Sequence, residues 1–372
     1  MFTFLIIISL LLFVYTFKKS KQNKSNQIRH QTIMRGVKKQ SKNKQKIQYD
    51  KIQRLDPAFS APQITARVEQ AFYIIKHAWS EHDMSAARGF ITDGIYQRYA
   101  IQFDIQKQHQ RHRKLVDLSI QHCELVGVEA DKIFETLHFE VSSRSRQTST
   151  NTATSAKSKK LPPFTNTIEY LTYIRLPGVK TRLQPGLMEG ICPNCGSPLL
   201  LNKFEQCQAC NSLVTSGEYD WILAKITQAE EWRFQNAKRQ VKGVADYQVV
   251  DANFNLPAVE DRVSVIFWLL QKAWLLQKSD ALLSVAHADY IDYFINNELN
   301  DYYFDHIELA LCEVSSVEFG DEFDQVFVLV KWQAAKVSRM KSTSQSTCYY
   351  AHHLTLIRKA GVISNTKKGL HS

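Results

Sequence analysis

No Walker A loop, GxGxxG fingerprint, HExxH helix or GxSxG elbow occurs in the 372 residues. Their absence removes the commonest phosphate-binding, dinucleotide-binding, metalloprotease and serine-hydrolase signatures. Acidic residues are missing from one long stretch: between Lys18 and Lys46 there are eleven Lys or Arg and no Asp or Glu. The formal excess of +11 lives there, because the other 36 of the 47 basic residues are matched by 36 acidic ones. A basic chain invites a nucleic-acid reading only where the charge lies on a folded surface, and here the remainder is neutral. Positive charge is also absent before the first apolar run, and no small-x-small site follows it, so a cleaved signal peptide fits poorly.

What is present at that end is an apolar run without a charge, Phe2 to Phe17. As a helix it reaches about 24 Å at about 1.5 Å per residue, somewhat short of a hydrocarbon core of about 30 Å. Snorkelling by Lys18 and Lys19 can cover that gap. Residues 1–17 are therefore expected to be a single transmembrane anchor. With the nearby Lys and Arg all on its C-terminal side, the positive-inside rule places the rest of the chain in the cytoplasm of a cell (inner) membrane protein. Residues 18–61 are expected to be a basic, disordered juxtamembrane tail, rich in Lys, Gln, Asn and Ser and without a sustained apolar period. Such a tail can lie on anionic lipid or act as a solvated spacer.

Four of the seven cysteines fall in two matched pairs, Cys192-Pro-Asn-Cys195-Gly and Cys207-Gln-Ala-Cys210. Two Cys-x2-Cys knuckles can close a tetrahedral thiolate site, so Cys192, Cys195, Cys207 and Cys210 are the expected ligands of a structural Zn2+ in a ribbon over 188–216. Two disulfides or a redox Cys-x-x-Cys are the rival readings; a reducing cytoplasm favours zinc. Four sulfurs leave no open coordination position, so such a metal holds structure and performs no hydrolysis. Cys123, Cys312 and Cys348 read as small apolar core residues.

An internal repeat organises the remainder. Ile64, Val68, Phe72, Ile75 and Trp79 have the spacing of one helix face, and Val259, Val263, Phe267, Leu270 and Trp274 repeat it 195 positions later. Strand-like stretches follow in both copies: Leu118–Val128 matches Ile307–Val317, with Cys123 opposite Cys312 at an offset of 189. Phe134–Val141 matches Phe323–Val330, and Ile168–Arg175 matches Tyr349–Arg358. Helices followed by an antiparallel meander define an α+β domain. Ser142–Thr167 reads as a long disordered hairpin loop. The ribbon interrupts a sheet connection of the first copy, before a strand Tyr219–Ile226, and the second copy has none. Catalytic candidates are thin. His77, Glu81 and His82 meet at a helix end, but their counterparts Lys272, Leu276 and Gln277 could not share a job with them, and a solvated helix end is the simpler reading. His109 and His112 read as a basic helical face, and His352 and His353 alternate across a strand.

The helix Arg67-Val-Glu-Gln-Ala-Phe72, the Ala78-Trp79 pair, the Tyr170–Arg175 strand and the Cys192-Pro-Asn-Cys-Gly196 knuckle ahead of Gly217-Glu-Tyr-Asp-Trp221 together resemble the bacterial, zinc-ribbon-containing branch of the TIM 44-like family. The resemblance covers most of 62–226 and, more faintly, 257–361. It implies two tandem cone-shaped domains of the nuclear-transport-factor-like α+β fold, each with an apolar pocket or groove, together with membrane association and a partner-binding role. The expected organisation is thus an anchor at 1–17, a tail at 18–61, a first domain at 62–226, a linker at 227–256 and a second domain at 257–364. The expected function is a non-catalytic, membrane-anchored scaffold binding protein or lipid, in protein transport or membrane-complex assembly. The alternatives are a nucleic-acid-binding ribbon and an enzyme using a cone pocket. Lys180, Arg182 and Lys203 against Glu189, Glu205, Glu218 and Asp220 give the ribbon the wrong balance for phosphate.

Overall fold

The structure is a computed structural model that describes residues 41–130, 132–151, 161–182, 185–202, 205–229, 232, 241–299, 302–340 and 347–364. The anchor expected at 1–17 and the first part of the tail, 18–40, lie outside these residues. Among the described residues no helix is long and apolar enough to cross a membrane.

The tail is not disordered throughout. Lys42–Leu55 forms helix α1, N-capped by the Ser41 hydroxyl, which accepts from the Lys44 N–H at 3.4 Å. Few of its residues are apolar, so periodicity gave no warning, but those few are well used. Ile52 is fully buried, and the Tyr49 ring stacks 5.1 Å from Phe59. Gln45 and Lys51 donate to the carbonyls of Leu125 and Ala130 on the first strand. Helix α1, which precedes the expected boundary at 62, is therefore part of the first packed unit.

Helix α2, Ala61–Glu81, opens with Pro62 in its first turn and buries Ile64, Val68, Phe72 and Ile75, the face expected from the spacing. Helix α3, Asp93–Gln108, follows, capped by the Thr92 hydroxyl. Four antiparallel strands in sequential order then form one sheet: β1 Arg111–Ala130, β2 Glu135–Asn151, β3 Thr165–Arg175 and β4 Ile222–Gln228. Strands β2 and β3 reach well into the stretch expected to be a loop. Ser142–Ser145 pairs with Thr165–Ile168, and β2 continues against β1 as far as Asn151. Small hydroxyl side chains fill the inner positions of this extension, with Ser143 and Ser145 buried and Ser143 bonded to Thr167 at 2.9 Å.

The expected linker is also largely structured. Trp232 stacks on Tyr170 at 4.1 Å and 7°, and Val244–Val250 forms helix α4. Helix α5, Leu256–Leu276, helix α6, Ala288–Tyr293, and a three-stranded antiparallel sheet complete the chain, with β5 Tyr302–Glu318, β6 Phe323–Ser338 and β7 Cys348–Lys359.

The second half repeats local geometry as well as element order. Both 21-residue helices, α2 and α5, end on a left-handed residue, His82 and Gln277. Strand β1 has register shifts at Val116/Ser119, Ile120/His122 and Leu125/Gly127; β5 has them at Asp305/Glu308, Leu309/Leu311 and Val314/Ser316, each 189 residues on. Asp117 and His306, inside the first shift of each strand, have φ of 53° and 52°. A buried carboxylate ties the third strand of the sheet to the chain just beyond it in both halves. Asp56 accepts from Arg175 at 2.8 Å and from the N–H and hydroxyl of Thr181 at 2.9 and 2.6 Å. Asp251 accepts from Arg358 at 2.8 Å and from the N–H and hydroxyl of Ser364 at 3.0 and 2.6 Å.

Each half packs its own apolar core between helices and sheet, the first around Phe72, Phe90 and Phe139, the second around Phe267, Trp274 and Trp332. The halves meet where α3 crosses α5. Ile105 buries itself in the second core, and Lys272 reaches Asp104 at 2.5 Å. The Gly94 N–H, at the start of α3, donates to the buried Asp261 carboxylate at 3.1 Å. A Cβ on Gly94 would sit 2.2 Å from that carboxylate, so the close crossing requires glycine.

Candidate metal centre and the surfaces around it

Both cysteine pairs sit on tight turns of the same construction. In the first, the Gly196 N–H donates to the Cys192 carbonyl at 2.9 Å and the Cys192 N–H to the Ser197 carbonyl at 2.8 Å. In the second, Asn211 donates to the Cys207 carbonyl at 2.8 Å and Cys207 to the Ser212 carbonyl at 2.9 Å. The fifth residue of each turn is left-handed, Gly196 at φ 75° and Asn211 at φ 58°. Glycine takes that conformation without cost and asparagine with little, which is why these two residue types stand there. The sequence reading identified Gly196 and missed Asn211, although the frame Cys-x-x-Cys-(Gly/Asn) marks both.

The four sulfurs of Cys192, Cys195, Cys207 and Cys210 lie within 4.8 Å of one another. Cys192 Sγ is 3.7 Å from Cys210 Sγ, and Cys195 Sγ is 3.9 Å from Cys207 Sγ. A tetrahedron of sulfurs about 2.3 Å from a central zinc has edges of about 3.8 Å, a spacing that the Cys192–Cys210 and Cys195–Cys207 pairs already have. All four are free of disulfides. Cys192 and Cys207 are buried, Cys210 is half-buried and Cys195 exposed. The Ser212 hydroxyl and N–H, with the Asn194 amide, bring the Cys210 thiol down to about 6, whereas burial pushes Cys192 up to about 12. Hydrogen-bond donors around the outer sulfurs favour thiolates, the form a metal takes.

The ribbon is built into the first half. Leu187 and Val214 are buried in the first core, and Leu199 packs against it. Arg88, just before α3, spans Asp93 at 2.6 Å and the ribbon's Glu205 at 2.9 Å. Burial raises the Glu205 carboxyl to about 7, against the pull of Arg88. Arg67 of α2 holds Asp220 at 2.8 Å, and the Arg175 guanidinium lies 4.4 Å from the centre of the Trp221 ring. Thus the residues that carried the resemblance, Arg67 and Asp220-Trp221, form the seam between ribbon and sheet.

The remaining candidates resolve differently. His82 is not at a solvated helix end: its ring stacks 4.8 Å from Phe103 and 4.1 Å from His112, while Glu81 pairs with Lys114 at 3.1 Å. His112 lies on β1 and His109 ends α3, so they share no helical face. Cys312 is buried and Cys123 half-buried, but Cys348 is exposed at the start of β7. A cavity of about 1110 Å³ lies between the halves, where the resemblance implied apolar pockets within them. Three of its charged residues, Lys225, Glu260 and Asp261, are engaged with one another or with backbone. Lys225 holds Glu260 at 2.9 Å and the Cys312 carbonyl at 3.1 Å, and Glu260 accepts from the Val314 N–H at 3.1 Å. Such groups join the halves.

The Tim44-like domain family model matches residues 46–158, from within α1 through the end of β2. No curated protein matches the chain. Among solved structures, an "Ntf2 like protein involved in plasmid conjugation" is similar at 10% identity over 74% of this chain and 87% of that one, with a TM-score of 0.15.

Proposed function

Because residues 46–158 carry a Tim44-like domain, we propose that the protein is a membrane-associated, non-catalytic scaffold that binds protein or lipid partners in transport or in assembly of a membrane complex. Two tandem domains of one cone-shaped, nuclear-transport-factor-like fold form its body. Residues 2–17 anchor it, the basic stretch from Lys18 to Lys46 faces anionic lipid, and the folded part lies on the cytoplasmic side. Zinc held by Cys192, Cys195, Cys207 and Cys210 fixes the ribbon, and the ribbon presents a surface that belongs to the first domain alone. The family match over the first half carries this reading. The closed four-sulfur geometry supports a structural metal in place of a reactive one. The polar groups of the inter-half cavity support a non-catalytic role, since Lys225, Glu260 and Asp261 are taken up in holding the halves together.

Crosslinking and affinity purification of the full chain from membranes, in mild detergent, tests it. Specific partners recovered with wild type and lost with Cys192→Ser, while the second half stays folded, would place the interface on the ribbon. Recovery of nothing above background, protein or lipid, would end the scaffold reading.

A further inference from the structure

The two sheets differ at one edge. In the first, β4 covers β3, pairing from Ile222↔Ile174 to Gln228↔Glu169 with a bulge at Ala224. It also reaches across to the segment before α3: Leu223 donates to the Phe90 carbonyl at 2.9 Å and accepts from the Thr92 N–H at 3.0 Å. In the second sheet β7 is the outermost strand; among the described residues no strand pairs with the outer edge of 352–357, and the Val285 carbonyl and His287 N–H, which match the bonded groups of Phe90 and Thr92, make no backbone hydrogen bond. The side chains register the difference. Ile174 is fully buried against Phe134 and Ala224, whereas its counterpart Ile357 is 44% exposed beside Phe323. Leu283, Val362 and Ile363 around the same edge are exposed as well.

Open edges in soluble proteins are usually blunted by lysine, proline or a covering element. From Cys348 to Ile357 this edge contains neither lysine nor proline and no acidic residue. We infer that the outer edge of β7, with segment 285–287, is a docking slot for an extended, aliphatic-rich segment of a partner polypeptide, which supplies there the fourth strand that β4 supplies to the first sheet. The occupant's chemistry is read from β4 itself: aliphatic side chains at the positions of Ile222, Leu223 and Ile226, a small residue at that of Ala224, and free backbone amides throughout. A second copy of this chain fits less well. Its β7 is already bonded to β6 and packed into its own core, so it could cover the edge but could not enter between β7 and 285–287. The inference rests on the correspondence between the halves and not on the metal.

The probe is a fluorescent peptide with the sequence of Tyr219–Gln228, added to the full-length protein in detergent. Saturable binding is expected, with hydrogen exchange slowed at 352–357 and 285–287. N-methylation of the peptide's Leu223 amide, or Ile357→Lys in the protein, is expected to weaken binding about tenfold, the worth of one good hydrogen bond. Binding is expected to persist in Cys192→Ser, so that this inference and the ribbon reading fail separately. No saturable binding, or protection at β3 through displacement of the resident β4, would overturn it. So would a dimer by light scattering whose β7 is already protected without peptide, which would assign the edge to a second copy.

Discussion

The two halves of the chain share what a fold needs and differ in what a surface offers. Common to both are the left-handed helix ends at His82 and Gln277, three bulges in each long strand, and the aspartate that clamps an arginine to a following Thr or Ser. Each of these bends or ties the backbone. The first half alone has the ribbon, the fourth strand and the tryptophan lid on Tyr170.

The sharpest way to break the comparison is to remove the metal. With zinc held as proposed, Cys207→Ser, or chelation, is expected to abolish metal binding and unravel 186–216, because structural zinc contributes apparent folding energies on the order of 10–16 kcal/mol in finger peptides. Exposed Leu199 and Leu187 would then destabilise the first half, while β5–β7 keep their exchange protection. Metal analysis and hydrogen exchange by mass spectrometry read both outcomes. Equal loss in the two halves would mean that the ribbon supports the whole molecule.

The carboxylate clamps give the next largest effect. Arg175 is fully buried between Asp56 and Glu135, at 2.8 and 2.6 Å, so Arg175→Ala leaves two buried carboxylates and is expected to cost about 3–5 kcal/mol. Arg358 is partly exposed, and its removal should cost less because it leaves one buried carboxylate in place of two and water can enter where the guanidinium stood. Denaturant midpoints of the two variants compare them. Burial opposes the charge on Asp56 and Asp251, but hydrogen bonds from Thr181 and Arg175, and from Ser364 and Arg358, hold both below 3.8. Their stabilisation is thus complete above pH 3.8 and is lost as pH falls through the lower folded values.

Asp261 works in the opposite direction and tests the seam between the halves. Burial raises its carboxyl to about 7 despite Arg98 and the Gly94 N–H. A folded value above the unfolded 3.8 means that stability declines as pH rises between them, by a few kcal/mol at most (about 1.4 per pH unit). Asp261→Asn keeps an acceptor for Gly94 and is expected to stabilise the protein at pH 8 and to have no effect below pH 3.8. A pH-independent difference would show that the charge is not the cost.

Much of this was legible in the sequence, and what was not has a physical reason. The α2 and α5 faces, the seven strands' positions and the four cysteines followed from periodicity and spacing. Helix α1 did not, because its place is fixed by Ile52, Tyr49 and two polar side chains reaching β1, a tertiary cause that leaves no apolar stripe. The β2–β3 extension failed for a related reason: its buried positions are filled by Ser143 and Ser145, so inner and outer residues alternate without an apolar signal. The open edge of β7 was visible only as a missing ribbon, since pairing is a property of neighbours and not of the strand.

The smallest expected effect sharpens the comparison most. His82 and Gln277 occupy the same left-handed cap, at φ 57° and 55°, where glycine avoids a steric cost of about 1 kcal/mol. Gln277 makes only a local bond to the Trp274 carbonyl at 2.8 Å, so Gln277→Gly is expected to be neutral to stabilising by up to about 1 kcal/mol. His82→Gly relieves the same backbone but gives up the ring stacked on Phe103 and beside His112. Its melting temperature should not rise. A gain of equal size at both positions would mean that the aromatic stack under His82 contributes nothing, and that even here the two halves differ only in appearance.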